Sequence, residues 1–178
     1  PALGATGRLS IRDFQHDGIE AEALVRWLVG ERFSLRRMSR VPDPVALPWL
    51  NRALLARRDF AAVADRLPAG ATEPFWLAIR GQIDLLTEAR HWWDVVSGTI
   101  FPPIPDGTAQ LMAAARTALP HEPWDRDTWA RWLGAIPAGP EEGAKLRLIL
   151  TGEEQGPELA ALLPLIGRSR TFERLRGA

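Results

Sequence analysis

Residues 73–96 read EPFWLAIRGQIDLLTEARHWWDVV. Phe75, Trp76, Ile79, Ile83, Leu86 and Trp93 recur there at three- and four-residue steps, the spacing that lines apolar side chains along one side of a helix. Strand-like alternation bounded by turns is scarce anywhere in the chain. An all-α protein follows, with 73–96 as one well-buried helix.

Working outward, the same period governs both flanks. On the N-terminal side, SIRDFQHDGIEAEALVRWLVGERF from Ser10 splits at Asp17-Gly18 into a short helix and a second one. The second has Ile19, Ala23, Leu24, Trp27 and Leu28 on one face and should end near Gly30. Prolines 42, 44 and 48 mark a linker. Trp49, Leu50, Leu54 and Leu55 then open a helix that runs, with interruption, into DFAAVADRL and closes at Leu67-Pro68-Ala69-Gly70. On the C-terminal side, TIFPPIPDG carries Pro102, Pro103 and Pro105, which cannot sit inside a regular helix. This connector is the best internal boundary. Helices are expected beyond it at 108–118, 125–133 and 144–150, then a loop TGEEQGPE, then a final helix from Leu159 through the terminal arginines.

At 178 residues and 46% hydrophobic, the chain can bury a core as one ordinary domain or two small ones. No apolar run approaches the ~20 residues needed to cross a bilayer, and the N-terminus lacks a basic stretch followed by an apolar one. A cytoplasmic chain with no membrane partner is the default. The absence of Cys excludes disulfides, thiolate nucleophiles and Cys-based zinc sites. Lys and Arg total 22 and so do Asp and Glu, whereas autonomous nucleic-acid binders usually carry a basic excess. The basic pool is almost all Arg, since Lys145 is the one lysine.

Motifs for chemistry are sparse. His16, His91 and His121 fall on different elements with no second ligand at metal spacing, so they read as surface or helix-end residues. Gly4-Ala5-Thr6-Gly7 lacks the strand before it and the Lys-Ser/Thr after it that a phosphate loop requires. Glu141-Glu142 and Glu153-Glu154 read as solvated acids in Gly/Pro-rich loops. Of the eight tryptophans, Trp27, Trp76, Trp93 and Trp129 lie on apolar faces and belong to the core. Trp92 and Trp93 point about 100° apart on a helix, so only one can face a given core, and the other marks a seam between units rather than an RNA platform. No catalytic constellation and no cofactor site emerges.

Four segments together carry a family resemblance: GRLSIRDFQHDGIEAEAL, LPWLNRALL, FWLAIRGQIDLLTEARHWWDVV and LRLILTGEEQGPELAALLPLIGRSRTFERL. In this order and spacing they resemble the C-terminal half of bacterial glutamyl-tRNA synthetases, and the last, combining LTG, GPEL and LLPLIG, is the most specific. The resemblance covers nearly the whole chain. It implies a stem-contact-like segment at 1–40 and two helical anticodon-binding subdomains at 41–105 and 106–178. It also implies tRNA, read at the anticodon loop and of the glutamate-accepting kind, as partner. Residue by residue, Arg147 matches a family arginine that contacts an anticodon base. Gly156, Pro157 and Leu159 match positions that surround those bases, and Arg80 is a candidate for the third anticodon base. Gly156-Pro157 would open the final helix, where unsatisfied backbone N–H groups can meet a base or phosphate.

Three departures shape the expectation. PALGA stands immediately before GRLSI where the family has its KMSKS-type signature, and the HIGH-type signature is absent, so no glutamate activation is expected of this chain. The region before Leu146 reads AGPEEGAK where relatives are often longer and basic. The loop has Glu153 where a basic residue is common, which weakens phosphate attraction. Two readings remain: an anticodon-binding module, as part of a ligase or free-standing, and a protein-interaction module on the same scaffold that has lost tRNA binding.

Overall fold

The computed structural model describes residues 18–30, 46–137 and 139–177. The short helix expected from Ser10, the Gly4–Gly7 pattern, His16, Pro42, Pro44 and most of the 1–40 segment lie outside the described residues. Every regular element among the described residues is helical, as the sequence period requires. In chain order these are α1 (Ala21–Gly30), α2 (Ala46–Leu55), two 3-10 turns (Phe60–Ala62 and Ala64–Arg66), α3 (Glu73–Ile79), α4 (Glu88–Ser97), α5 (Ala109–Thr117), α6 (Thr128–Gly134), α7 (Pro140–Thr151) and α8 (Leu159–Arg176). No helix among them is long and apolar enough to cross a membrane. The chain forms two compact units, Pro1–Ala71 with Ile79–Arg90, and Thr72–Ala78 with His91–Ala178.

In the first unit Ile19, Ala23 and Leu24 of the α1 region pack with Leu47 and Leu54 of α2. The fully buried Asn51 of α2 ties three segments together. Its Oδ1 accepts from the Glu20 N–H at 2.7 Å, and its Nδ2 donates to the carbonyls of Gly18 and Asp84. Such a group stays buried because nearly all of its hydrogen-bonding capacity is used. Gly18 has φ +83°, and a Cβ there would stand 2.7 Å from the Thr87 nitrogen, so only glycine permits the approach. The nearly buried Glu20 is paired with Arg66 at 2.8 Å and Arg58 at 3.6 Å.

That approach corrects the single helix expected at 73–96. The chain leaves helical form after Ile79, whose carbonyl accepts from Gln82 N–H in a tight turn. Leu86 N–H then bonds the Gly18 carbonyl at 3.0 Å and the Asp84 carbonyl accepts from Asn51. Backbone groups that a continuous helix would use internally are given to tertiary partners. Ile83 and Leu86 are buried nonetheless, so the apolar period reports burial across a break.

In the second unit the core joins Met112 and Ala115 of α5, Trp132 of α6, Leu146, Ile149 and Leu150 of α7, and Leu163 and Leu175 of α8. Trp132 is fully buried and its indole N–H donates to the Ala115 carbonyl at 3.0 Å. Helix α7 starts four residues before the expected 144, so Glu141-Glu142 lie in a first helical turn and not in a loop. Pro140 is preorganised for that position, and acids there face the positive end of the helix. The Glu142 carboxylate accepts the Gly139 N–H at 2.9 Å, and Glu141 pairs with Lys145 one turn on at 2.9 Å. Helix α8 contains Pro164 and breaks at Gly167, at φ 77° and ψ 161°. Beyond the break the Arg168 N–H turns to the Glu122 carboxylate at 3.1 Å.

Arg174, near the end of α8, is buried without a carboxylate among its hydrogen-bond partners. Its guanidinium donates to the carbonyls of Leu150 at 2.6 Å, Val95 at 2.6 Å and Gly98 at 3.3 Å. These acceptors sit at the C-terminal ends of α7 and α4, where helices leave carbonyls unsatisfied and carry partial negative charge. Desolvation, and secondarily the nearby Arg170, push its pKa down to about 10. Arg116 treats α8 in the same way, donating to the Leu175 carbonyl at 2.6 Å.

Candidate nucleic-acid interface

The loop between α7 and α8 is built from the last residue of α7. Thr151 Oγ1 lies 2.8 Å from the Arg147 carbonyl, to which it donates, and accepts the Glu153 N–H at 3.1 Å. Gly152 follows in the left-handed conformation, φ 78°, and its N–H closes α7 on the Leu148 carbonyl at 2.7 Å. The chain then passes over α4. His91 Nε2 lies 2.9 Å from the Glu153 carboxylate, and Trp92 lies beneath Gly156. Gly156 takes φ +130°, and a Cβ there would stand 2.3 Å from the Trp92 ring. Conformation and space both demand glycine.

Arg147 reaches the same loop from α7. Its Nη2 donates to the Pro157 carbonyl at 2.9 Å, while its Nε is buried and without a hydrogen-bond partner. Desolvation lowers the guanidinium pKa from its ordinary value, and the charge of Glu153 opposes that shift. Helix α8 begins at Leu159, with Glu158 in extended conformation as its cap. Gly156 is exposed, whereas Pro157 and Leu159 are buried.

Of the residues singled out from sequence, Arg147, Gly156, Pro157 and Leu159 meet at this loop. Arg80 belongs to the first unit, where its Nη1 donates to the Arg58 carbonyl at 3.1 Å. Trp92 and His91 complete the support of the loop. The HWW motif flagged Trp92, but nothing in the sequence joined it to Gly156, 64 positions away. Trp93 is half-buried and meets Phe75 edge to face at 5.0 Å between ring centroids. No group of three metal-ligating side chains occurs among the described residues.

No family model matches the chain. Curated proteins do. Glutamate–tRNA ligase 2 of Acidiphilium cryptum is 49% identical over 196 residues, covering 97% of this chain and 44% of that protein. Glutamate–tRNA ligase 2 of Granulibacter bethesdensis is 44% identical, covering 94% of this chain and 43% of its own length. The protein of that name from Gluconacetobacter diazotrophicus is 42% identical with the same coverage. The chain is a region of the glutamate–tRNA ligase family. It spans less than half the length of these relatives. At the α7–α8 loop a partly desolvated arginine, an exposed glycine and a helix N-terminus coincide.

Proposed function

We propose that this chain recognises the anticodon loop of tRNA-Glu, as the non-catalytic part of a glutamate–tRNA ligase or as a free-standing relative of that part. The observation that carries the reading is Arg147, anchored through Nη2 to the Pro157 carbonyl beside the exposed Gly156. A guanidinium fixed through Nη2 is preorganised to offer its other terminal donors to a planar hydrogen-bonding ligand such as an unpaired base. In this proposal Arg147 contacts a base edge, and the backbone around Gly156 receives the base. Pro157 and Leu159 hold the backbone from below, and Arg80 serves a further anticodon base. Residues 41–105 and 106–178 act as the two anticodon-binding subdomains, with 1–40 as the stem-contact segment.

The test is tRNA-Glu binding by the unaltered chain and by Arg147→Ala, each against a set of anticodon variants. A base contact predicts a loss of ~1–3 kcal/mol and flattened discrimination at one anticodon position. An equal loss for every variant would make the contact a phosphate contact. No loss would remove Arg147 from the site.

A second reading, a protein-interaction module that has lost tRNA binding, is favoured by the Glu153–His91 pairing on the loop and by the zero net charge. Absence of any tRNA binding by the unaltered chain would select it.

A further inference from the structure

Beyond the Arg147 loop, the second unit holds a cavity of about 530 Å³ between the connector after α4 and the last turns of α8. Its apolar wall is Phe101, Pro102 and Ile104, and its opposite wall includes Arg170, Glu173 and Arg176. Phe101 is 81% exposed, the largest exposure among the big apolar side chains described. It also lines a smaller cavity of about 220 Å³ together with Thr151, Gly152 and Glu153. A single aromatic ring therefore stands between the α7–α8 loop and an arginine-bearing cavity.

We propose that Phe101 is a stacking platform for an unpaired RNA nucleotide, whose phosphate is taken by Arg170 and Arg176. This rests on the reading of the chain as an RNA-binding module and adds a site to it. Size fits, since ligand cavities run ~300–1,000 Å³ and one nucleotide fills the lower part of that range. Charge fits as well. Arg170, Arg174 and Arg176 line the cavity against Glu173 alone, a local excess of positive charge in a chain of zero net charge. Arg170 gives one donor to the Ile166 carbonyl at 3.2 Å, and Arg176 makes a long contact to Glu173 at 3.5 Å. A guanidinium has five donors, so both retain several for phosphate oxygens.

The walls are fixed before any ligand arrives. Arg174 ties the start of the connector to α8 through the Gly98 carbonyl. At the far end, a Cβ on Gly177 would stand 3.0 Å from Ile104 Cδ1, so helix end and connector are in close contact. On the other side of the ring the smaller cavity holds Asp94 and Glu153, the latter paired with His91, and no arginine. A phosphate is therefore favoured on the side of the arginines, which orients the strand with its backbone toward Arg170 and Arg176.

The experiment measures binding of tRNA-Glu and of a single-stranded oligouridylate to the full chain, to Phe101→Ala, to Phe101→Trp and to the Arg170→Ala/Arg176→Ala pair. Phe101→Ala should weaken both ligands by about 5- to 150-fold, the worth of one base–aromatic stack, and Phe101→Trp should restore binding. The arginine pair should lower the salt slope by about 0.7 for each phosphate of a single strand that is no longer neutralised. The ring is exposed, so its removal leaves the core intact. If the unaltered chain binds tRNA and Phe101→Ala binds it equally well, the stacking site is wrong while the RNA-binding reading stands. If the oligouridylate is bound through Phe101 and tRNA-Glu is not, the stacking site stands and the anticodon reading falls. Binding of neither ligand overturns both.

Discussion

Arg174 and Gly156 show how single residues hold the second unit and its loop. Arg174 serves three carbonyls from two helix ends, so Arg174→Met, which keeps the stem and removes the donors, leaves buried acceptors without partners. An expected destabilisation of about 3 kcal/mol should appear as a lower denaturation midpoint at unchanged slope. Arg174→Lys should recover only part of it, because an ammonium cannot span the three acceptors that a planar fork reaches. At Gly156 the expected damage is steric and conditional. Gly156→Ala places a methyl into the Trp92 ring, an overpacking worth ~1–3 kcal/mol. The same substitution should be milder once Trp92→Ala has opened the space, although the positive φ still disfavours alanine. A double-mutant cycle measures this, and strict additivity would mean that loop and ring are not in contact.

Among the elements, α7 and its loop carry the clearest consequences. Glu142 titrates below its ordinary value because the Gly139 N–H bonds its charged form. A depressed folded-state pKa stabilises the fold above the ordinary carboxylate value of 4.5 and ceases to do so as pH falls through the lowered one. Glu142→Gln, which keeps an acceptor and loses the charge, should therefore flatten the decline of thermal midpoint as pH falls below the ordinary value of 4.5. In the loop, Glu153 sits within reach of any phosphate approaching Arg147, given a Debye length of ~8 Å. Glu153→Arg should tighten tRNA binding and steepen its salt dependence, although it also breaks the link to His91. If neither affinity nor slope changes, the loop does not face RNA. The helices themselves were legible because burial imposes the 3.6-residue period on residues such as Trp76, Leu146 and Leu163. Where elements stop was less legible. The break after Ile79 depends on Gly18 and Asn51, more than 25 positions away, and no local pattern encodes that. Glu141-Glu142 looked like a loop because glycine and proline surround them, yet that composition is also how a helix begins.

For the whole chain, the balance of 22 basic and 22 acidic residues sets the scale of binding. Counterion release supplies a large share of the affinity of nucleic-acid complexes, and a chain without excess charge can draw on it only where cations cluster. Affinity for tRNA in the micromolar range or weaker is expected at physiological salt. Titration at two ionic strengths checks this, and nanomolar binding with a shallow slope would point to contacts other than phosphates. The sequence revealed the family because several segments recur in order. It placed Arg147, Gly156, Pro157 and Leu159 together because they are close in the chain. It could not supply the Phe101 cavity, whose walls lie about 70 positions apart.

The lone lysine has a practical corollary. Lys145 is the only side-chain amine in the chain, so acylating reagents have one side chain to choose. Its pairing with Glu141 raises its pKa, which slows that reaction at neutral pH relative to acylation of the α-amine. Two residues along a helix turn the side chain by about 200°, so a fluorophore or surface tether on Lys145 projects away from Arg147. A sensor chip coupled through this amine, with the α-amine blocked beforehand, would then present the α7–α8 loop to solution in a single orientation.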